Sequence, residues 1–215
     1  TWSGDGTAAV WDAASGERLQ TLSHEDVVNG AAWNEAESQI LTWSDDGTAA
    51  VWDAASGERL QILNHGSVVY GAAWNGAENQ ILTWNGILST EGGTTVVWDA
   101  ASGERLQILS HEGIVSGAVW NEAGSQILTW SRILSGEGGT AVVWDAVSGE
   151  RLQTLSHQGV VNGAAWNEAE SQILIWSSDS TAVVWDVASG ERLQILSHED
   201  VVVWGAAWNE AESQI

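Results

Sequence analysis

A period near 41 residues, four short strand signals in every period, and no apolar 3.6-residue pattern sustained for three turns predict an all-β fold. The expected architecture is a β-propeller of four-stranded antiparallel blades. The tripeptide Val-Trp-Asp marks the period. It ends at Asp12, Asp53, Asp99, Asp145 and Asp186, and the steps between its tryptophans are 41, 46, 46 and 41 residues. A His preceded by Ser or Asn keeps the same rhythm at His24, His65, His111, His157 and His198. Each 46-residue step carries one five-residue insertion, in residues 85–93 and 131–139, where other copies have a four-residue turn such as Ser44-Asp-Asp-Gly47.

Within one copy the elements follow in order. Strand a is expected over residues 27–33, strand b over 39–43, strand c over 48–52 and strand d over 58–63. Asn34-Glu-Ala-Glu-Ser, Ser44-Asp-Asp-Gly and Asp53-Ala-Ala-Ser-Gly57 separate them. These are turn sequences, because short polar side chains bond the local backbone and Gly supplies positive φ. The five repeats, of 41, 46, 46, 41 and 41 residues, are expected to form a single domain over residues 1–215, a closed five-bladed ring. Thr1-Trp2-Ser3 has the pattern of the second half of strand b and Ser213-Gln214-Ile215 that of the first half, so the ends are expected to meet in strand b.

Composition narrows the function. Six Arg and no Lys against 29 Asp and Glu give a formal net charge of −23, which repels nucleic-acid backbones and anionic membranes. The absence of Cys removes disulfides and Cys-based zinc sites. No apolar run approaches the roughly 18 residues of a membrane span. With no visible signal peptide and no Cys, a cytoplasmic location is expected. Fifteen of the 16 Trp fall one per strand: on strand a (Trp33, Trp74, Trp120, Trp166, Trp208), strand b (Trp2, Trp43, Trp84, Trp130, Trp176) and strand c (Trp11, Trp52, Trp98, Trp144, Trp185). Stacked blades bury both faces of a strand, so these rings are expected in the core. Trp204 stands outside the pattern, because 201–205 carries one residue more than its counterparts.

Val51-Trp52-Asp53, preceded by Trp43-Ser-Asp-Asp-Gly-Thr48 and followed by His65, resembles the WD-repeat (Trp-Asp repeat) β-propeller family, and the resemblance covers essentially the whole chain. It implies a buried hydrogen-bonded tetrad in each blade. Around Trp52 its members would be His24, Thr42 or Ser44, Asp46 and Trp52. Asp5 with Trp11 and Asp179 with Trp185 are the equivalents, while Gly92 and Gly138 stand where the inserted copies should have Asp. The tetrad is structural: a buried imidazole and indole each need partners. The resemblance also implies a top face that binds partners.

The five copies differ from one another in two places. One follows the His and includes Asn29, Tyr70, Ser116, Asn162 and Trp204. The other is the b–c loop, including Ile87, Leu88, Arg132, Ile133 and Leu134. In an up-and-down blade the d–a and b–c connections emerge at the same end, so these residues converge on one rim, and loops on a rigid scaffold are where recognition sits. They are the candidate partner-binding residues. The expected function is a non-catalytic recognition scaffold for a protein or peptide, with the acidic surface favouring a basic one. The alternatives are a lectin-like carbohydrate-binding propeller and a purely structural or assembly module. No enzyme is expected, because every His and almost every carboxylate recurs in each copy whereas catalysis needs a unique constellation. No metal or cofactor is expected. A monomer is expected, with a ring shared between chains as the alternative.

Overall fold

The computed structural model describes all residues except 87–91, 133–137, 200, 210 and 212–213. The described residues hold eighteen strands and no helix. Strands β1 (Thr7–Trp11) and β2 (Arg18–Ser23) form a two-stranded sheet, and Trp2 bridges antiparallel to Ala8 beside it. Four four-stranded antiparallel sheets follow. Blade II comprises β3 (Val28–Trp33), β4 (Gln39–Ser44), β5 (Thr48–Asp53) and β6 (Arg59–Asn64). Blade III comprises β7 (Gly71–Trp74), β8 (Gln80–Trp84), β9 (Thr94–Asp99) and β10 (Arg105–Ser110). Blade IV comprises β11 (Ile114–Trp120), β12 (Gln126–Arg132), β13 (Gly139–Asp145) and β14 (Arg151–His157). Blade V comprises β15 (Val161–Trp166), β16 (Gln172–Ser177), β17 (Thr181–Asp186) and β18 (Arg192–Ser197). Each sheet is a simple up-and-down meander whose spatial order equals its chain order.

The chain divides into two compact units. One is Thr1–Ile87 with Thr95–Ile108, and the other is Leu88–Thr94 with Leu109–Ile215. In the first unit, strand c of blade II shows why these strands read as nearly continuous apolar runs. Side chains alternate across a strand. Ala49 and Val51 join Leu41, Leu63, Ala72, Ile81, Val96 and Trp98 in the core toward blade III. Ala50 and Trp52 join Ala8, Leu22, Val28 and Ile40 in the core on the opposite side. The second unit repeats the arrangement with Leu128, Ala141, Val143 and Leu155 against Val161, Ile173, Ile175 and Trp185.

Two local devices hold neighbouring strands and blades. The first is a glycine on strand a beneath a strand-b tryptophan. A Cβ on Gly30, Gly71, Gly117 or Gly163 would overlap the indole of Trp43, Trp84, Trp130 or Trp176. The second is in the a–b turn. Glu37, Glu78 and Glu170 adopt left-handed φ of 54°, 55° and 54°. From that conformation the Glu78 carboxylate accepts hydrogen bonds from Asn34 Nδ2 (2.9 Å) and the Ala36 N–H (3.1 Å) of the preceding blade, and Glu170 does the same with Asn121 Nδ2 and Ala123 N–H, both at 2.8 Å.

Candidate functional site

In blade II, Thr42 lies in the centre of β4 with its hydroxyl fully buried. It accepts a 2.8 Å hydrogen bond from Trp52 Nε1 and lies 2.7 Å from His24 Nε2. The other imidazole nitrogen, Nδ1, lies 2.9 Å from Asp46 Oδ2 in the b–c turn. That carboxylate also accepts from the N–H of Glu25 (3.0 Å) and from the N–H and hydroxyl of Thr48 (2.8 and 2.6 Å). Burial pulls the Asp46 carboxyl upward, but the bonds from Thr48, Glu25 and His24 outweigh it and hold the group below its ordinary value. The structure therefore brings His24, Thr42, Asp46 and Trp52 into one chain of bonds running from strand c to the d–a connection. Ser44, the other strand-b candidate, bonds the Asp26 carbonyl and the Asp46 N–H instead.

The other blades depart from this pattern. In the first sheet, Trp11 Nε1 donates to Thr1 Oγ1 (2.8 Å), while Asp5 accepts from the N–H and hydroxyl of Thr7. In blade III, Thr83 accepts from Trp98 Nε1 and lies 2.8 Å from His65 Nδ1. In blade IV, Thr129 accepts from Trp144 Nε1, but His111 Nε2 is buried without a partner. Gly92 and Gly138 occupy the Asp positions of these two blades with φ of 77° and 112°, and a Cβ there would collide with the backbone carbonyls of His111 and His157. Burial, with a smaller contribution from Arg105, pushes the His65 pKa down to about 4. Burial, with Arg151, does the same to His111, also to about 4.

Blade V contains the departure that sequence reading missed. Ile175 stands where blades II, III and IV have Thr42, Thr83 and Thr129. His157 still approaches Asp179, at 3.4 Å, but His157 Nε2 and Trp185 Nε1 are both buried with no hydrogen-bond partner. The signal was present in the sequence as Gln-Ile-Leu-Ile-Trp against Gln-Ile-Leu-Thr-Trp. Each group of this kind is costly, since a buried unsatisfied donor or acceptor forfeits about 1–3 kcal/mol.

The d–a and b–c connections do lie together at one end of each blade, as the His24 N–H to Gly6 carbonyl and His65 N–H to Gly47 carbonyl bonds require. The variable strand-a position sits where the a–b register shifts: at Asn29 between Val28 and Gly30, at Ser116 between Val115 and Gly117, and at Asn162 between Val161 and Gly163. A bulge re-aims the side chain it carries. Asn29 uses its amide internally, donating to Asp45 Oδ1 (2.7 Å) and the Val69 carbonyl (3.0 Å), and Asn162 donates to the Val203 carbonyl (2.9 Å). Ser116 is exposed, Tyr70 is 54% exposed and Trp204 is 80% exposed. Arg132 ends β12 with its side chain exposed. Ile87, Leu88, Ile133 and Leu134 lie outside the described residues. Among the described residues, no group of three or more His, Asp or Glu is placed to hold a metal ion.

Residues 16–53 match the family described as WD domain, G-beta repeat. No curated protein matches the chain. Among solved structures the chain is similar to the computationally designed Ika8 protein, with a TM-score of 0.76 and 24% identity over 93% of this chain and 58% of that one. The chain thus spans 58% of that protein's length, and at this identity the likeness is one of fold.

Proposed function

We propose that this chain, with a WD repeat at residues 16–53 and the same pattern in five copies, is a recognition scaffold that binds a basic protein or peptide at the end of the blades where the d–a and b–c connections meet. WD-repeat propellers are generally non-catalytic and typically bind proteins or peptides. The observation that carries the reading is the exposure of Tyr70 and Trp204. Both break the repeat, so the blade pattern does not require them, and both are large aromatics left in water. Aromatics and Arg carry most interface energy when a partner buries them. Asn29 and Asn162 have a separate role at this end, because their amides tie one blade to the chain of the next. The a–b turns also differ between copies, at Gly76, Asn79 and Gly124, so variation alone does not single out a face and the exposed aromatics carry the reading.

The test is a peptide array carrying Lys- and Arg-rich, neutral and acidic sequences, followed by calorimetric titration of the strongest binder. Tyr70→Ala, Trp204→Ala and Arg132→Ala are expected to lose about 2 kcal/mol or more of binding, roughly 30-fold, with unchanged stability. Loss of binding in Glu58→Ala, on the c–d turn, while these three bind normally would refute the assignment.

A further inference from the structure

Strand d is the last strand of each four-stranded sheet, and it leaves apolar side chains in water. In blade II, Leu60 and Ile62 are 41% and 50% exposed. Leu106 and Ile108 in blade III repeat this, as do Leu193 and Ile195 in blade V. The backbone at these positions is also available. The His65 N–H bonds the Gly47 carbonyl, and antiparallel bonding alternates along β6 from that point. The N–H and C=O of Ile62, opposite Ala50, therefore point away from β5. The His198 to Ser180 bond sets the same alternation in β18 and turns Ile195, opposite Val183, outward. Among the described residues no other backbone group bonds either one.

An edge of this kind is normally blunted by Lys, Pro or an inward charge. Here the cation that opens each d strand is folded onto its own blade. Arg59 lies 5.6 Å from the Trp52 ring, Arg105 5.0 Å from Trp98, and Arg192 4.7 Å from Trp185. Arg105 also bonds the Asn64 carbonyl, which caps the end of β6 and leaves Ile62 open. The neighbouring exposed Glu58, Glu104 and Glu191 are then the outward charges, on a chain of net charge −23.

We propose that the strand-d edges at Ile62 and Ile195 dock an extended, basic segment of another protein, one that alternates apolar residues with Lys or Arg and joins the blade as a fifth strand. Main-chain bonds to the outward N–H and C=O supply the register, and the apolar residues cover the Leu and Ile side chains. Charge selects the occupant. A second copy of this chain brings another −23 to the same edge, whereas a basic strand is drawn to it. The other two copies carry Thr21 and Thr154 in place of Ile, so the fold itself does not require Ile there.

The probe is the heptapeptide Lys-Val-Lys-Val-Lys-Val-Lys, titrated against the whole chain while backbone amides are followed by NMR. The Ile62 and Ile195 amides are expected to gain hydrogen-exchange protection of tenfold or more. Ile62→Thr is expected to remove the response at that blade alone, and Tyr70→Ala to leave it intact, which separates this edge from the recognition face proposed above. Ile62→Lys serves as a second variant, with near-ultraviolet circular dichroism to report the fold. Equal binding by a Lys-Ser heptapeptide of the same charge, or by a peptide N-methylated at alternate residues, overturns the proposal. Protection of these amides that grows with protein concentration in the absence of peptide also overturns it, because the occupant is then a second copy.

Discussion

Thr42 in blade II and Ile175 in blade V occupy equivalent positions, and the groups around them show what the hydroxyl does. Around Thr42, the buried Trp52 indole and His24 imidazole both have a partner; around Ile175, Trp185 Nε1 and His157 Nε2 have none. Ile175→Thr is therefore expected to stabilise the protein by about 1–2 kcal/mol, the net of two hydrogen bonds gained and some apolar burial lost. Thr42→Ile should destabilise it by a similar or larger amount. Urea midpoints decide the matter, and an Ile175→Thr midpoint at or below wild type counts against the argument. Acid should act on the same groups. His65 and His111 have folded pKa values near 4, below the unfolded value of about 6.5, so the unfolded chain takes up protons first as pH falls. Stability is full above about pH 6.5 and is lost progressively toward pH 4, on the order of 2 kcal/mol for each His by pH 5. Asp46 and Asp179, held below their ordinary value, add a further loss at lower pH. A flat urea midpoint between pH 7 and pH 5 would contradict the buried-neutral assignment.

At the scale of elements, the blade is specified twice over. Alternation places successive side chains of strand c in opposite cores, and the Gly-Ala-Ala-Trp strand a lies under the strand-b indole through its Gly. Gly30→Ala should cost about 1–3 kcal/mol by forcing the Trp43 ring off its seat. Gly4→Ala, where an added Cβ meets nothing within 4 Å, is the control. Equal thermal midpoints for the two variants would show that the ring is not seated on Gly30. In blade II the repeat pattern placed each strand to within a residue, because turn chemistry and two-residue alternation are local signals. By contrast, β7 begins only at Gly71, the equivalent of Gly30 inside β3, and residues 201–208, expected as a strand a, form no strand. The roles of strand-a Gly and of Glu78 were not legible in the same way. An interior strand Gly signals a close approach but not to which ring, and a Glu in a polar turn reads as solvated until the preceding blade's Asn34 and Ala36 are seen beside it.

For the molecule as a whole, the long-range electrostatic fact is a net charge of −23. Self-repulsion destabilises a compact chain and opposes association. Raising ionic strength from about 0.01 M to about 0.15 M shortens the screening length from roughly 30 Å to 8 Å and should raise the thermal midpoint. Over the same range the protein is expected to sediment as a 22.9 kDa monomer, independent of concentration. A midpoint that falls with added salt would mean that attractive ion pairs outweigh the repulsion.

The tetrad does not form around Trp11 or Trp185, but the fold class, the count and length of the repeats and the groups that meet in blade II were legible from the residues alone. These follow from periodicity, turn residues and the need of buried polar groups for partners, all properties a residue carries with it. Which of the repeat-breaking residues are exposed depends on the packing around them. Asn29, Tyr70, Ser116 and Asn162 hold one position in the repeat, yet two of them spend their amides on a neighbouring blade's chain while Tyr70 stands in water. On strand d, one hydrogen bond at the end of the strand, His65 to Gly47 in β6 and His198 to Ser180 in β18, sets which backbone groups face outward. Such distinctions depend on what lies across a gap of about 3 Å, and residues that close in space are 40 or more apart in the chain.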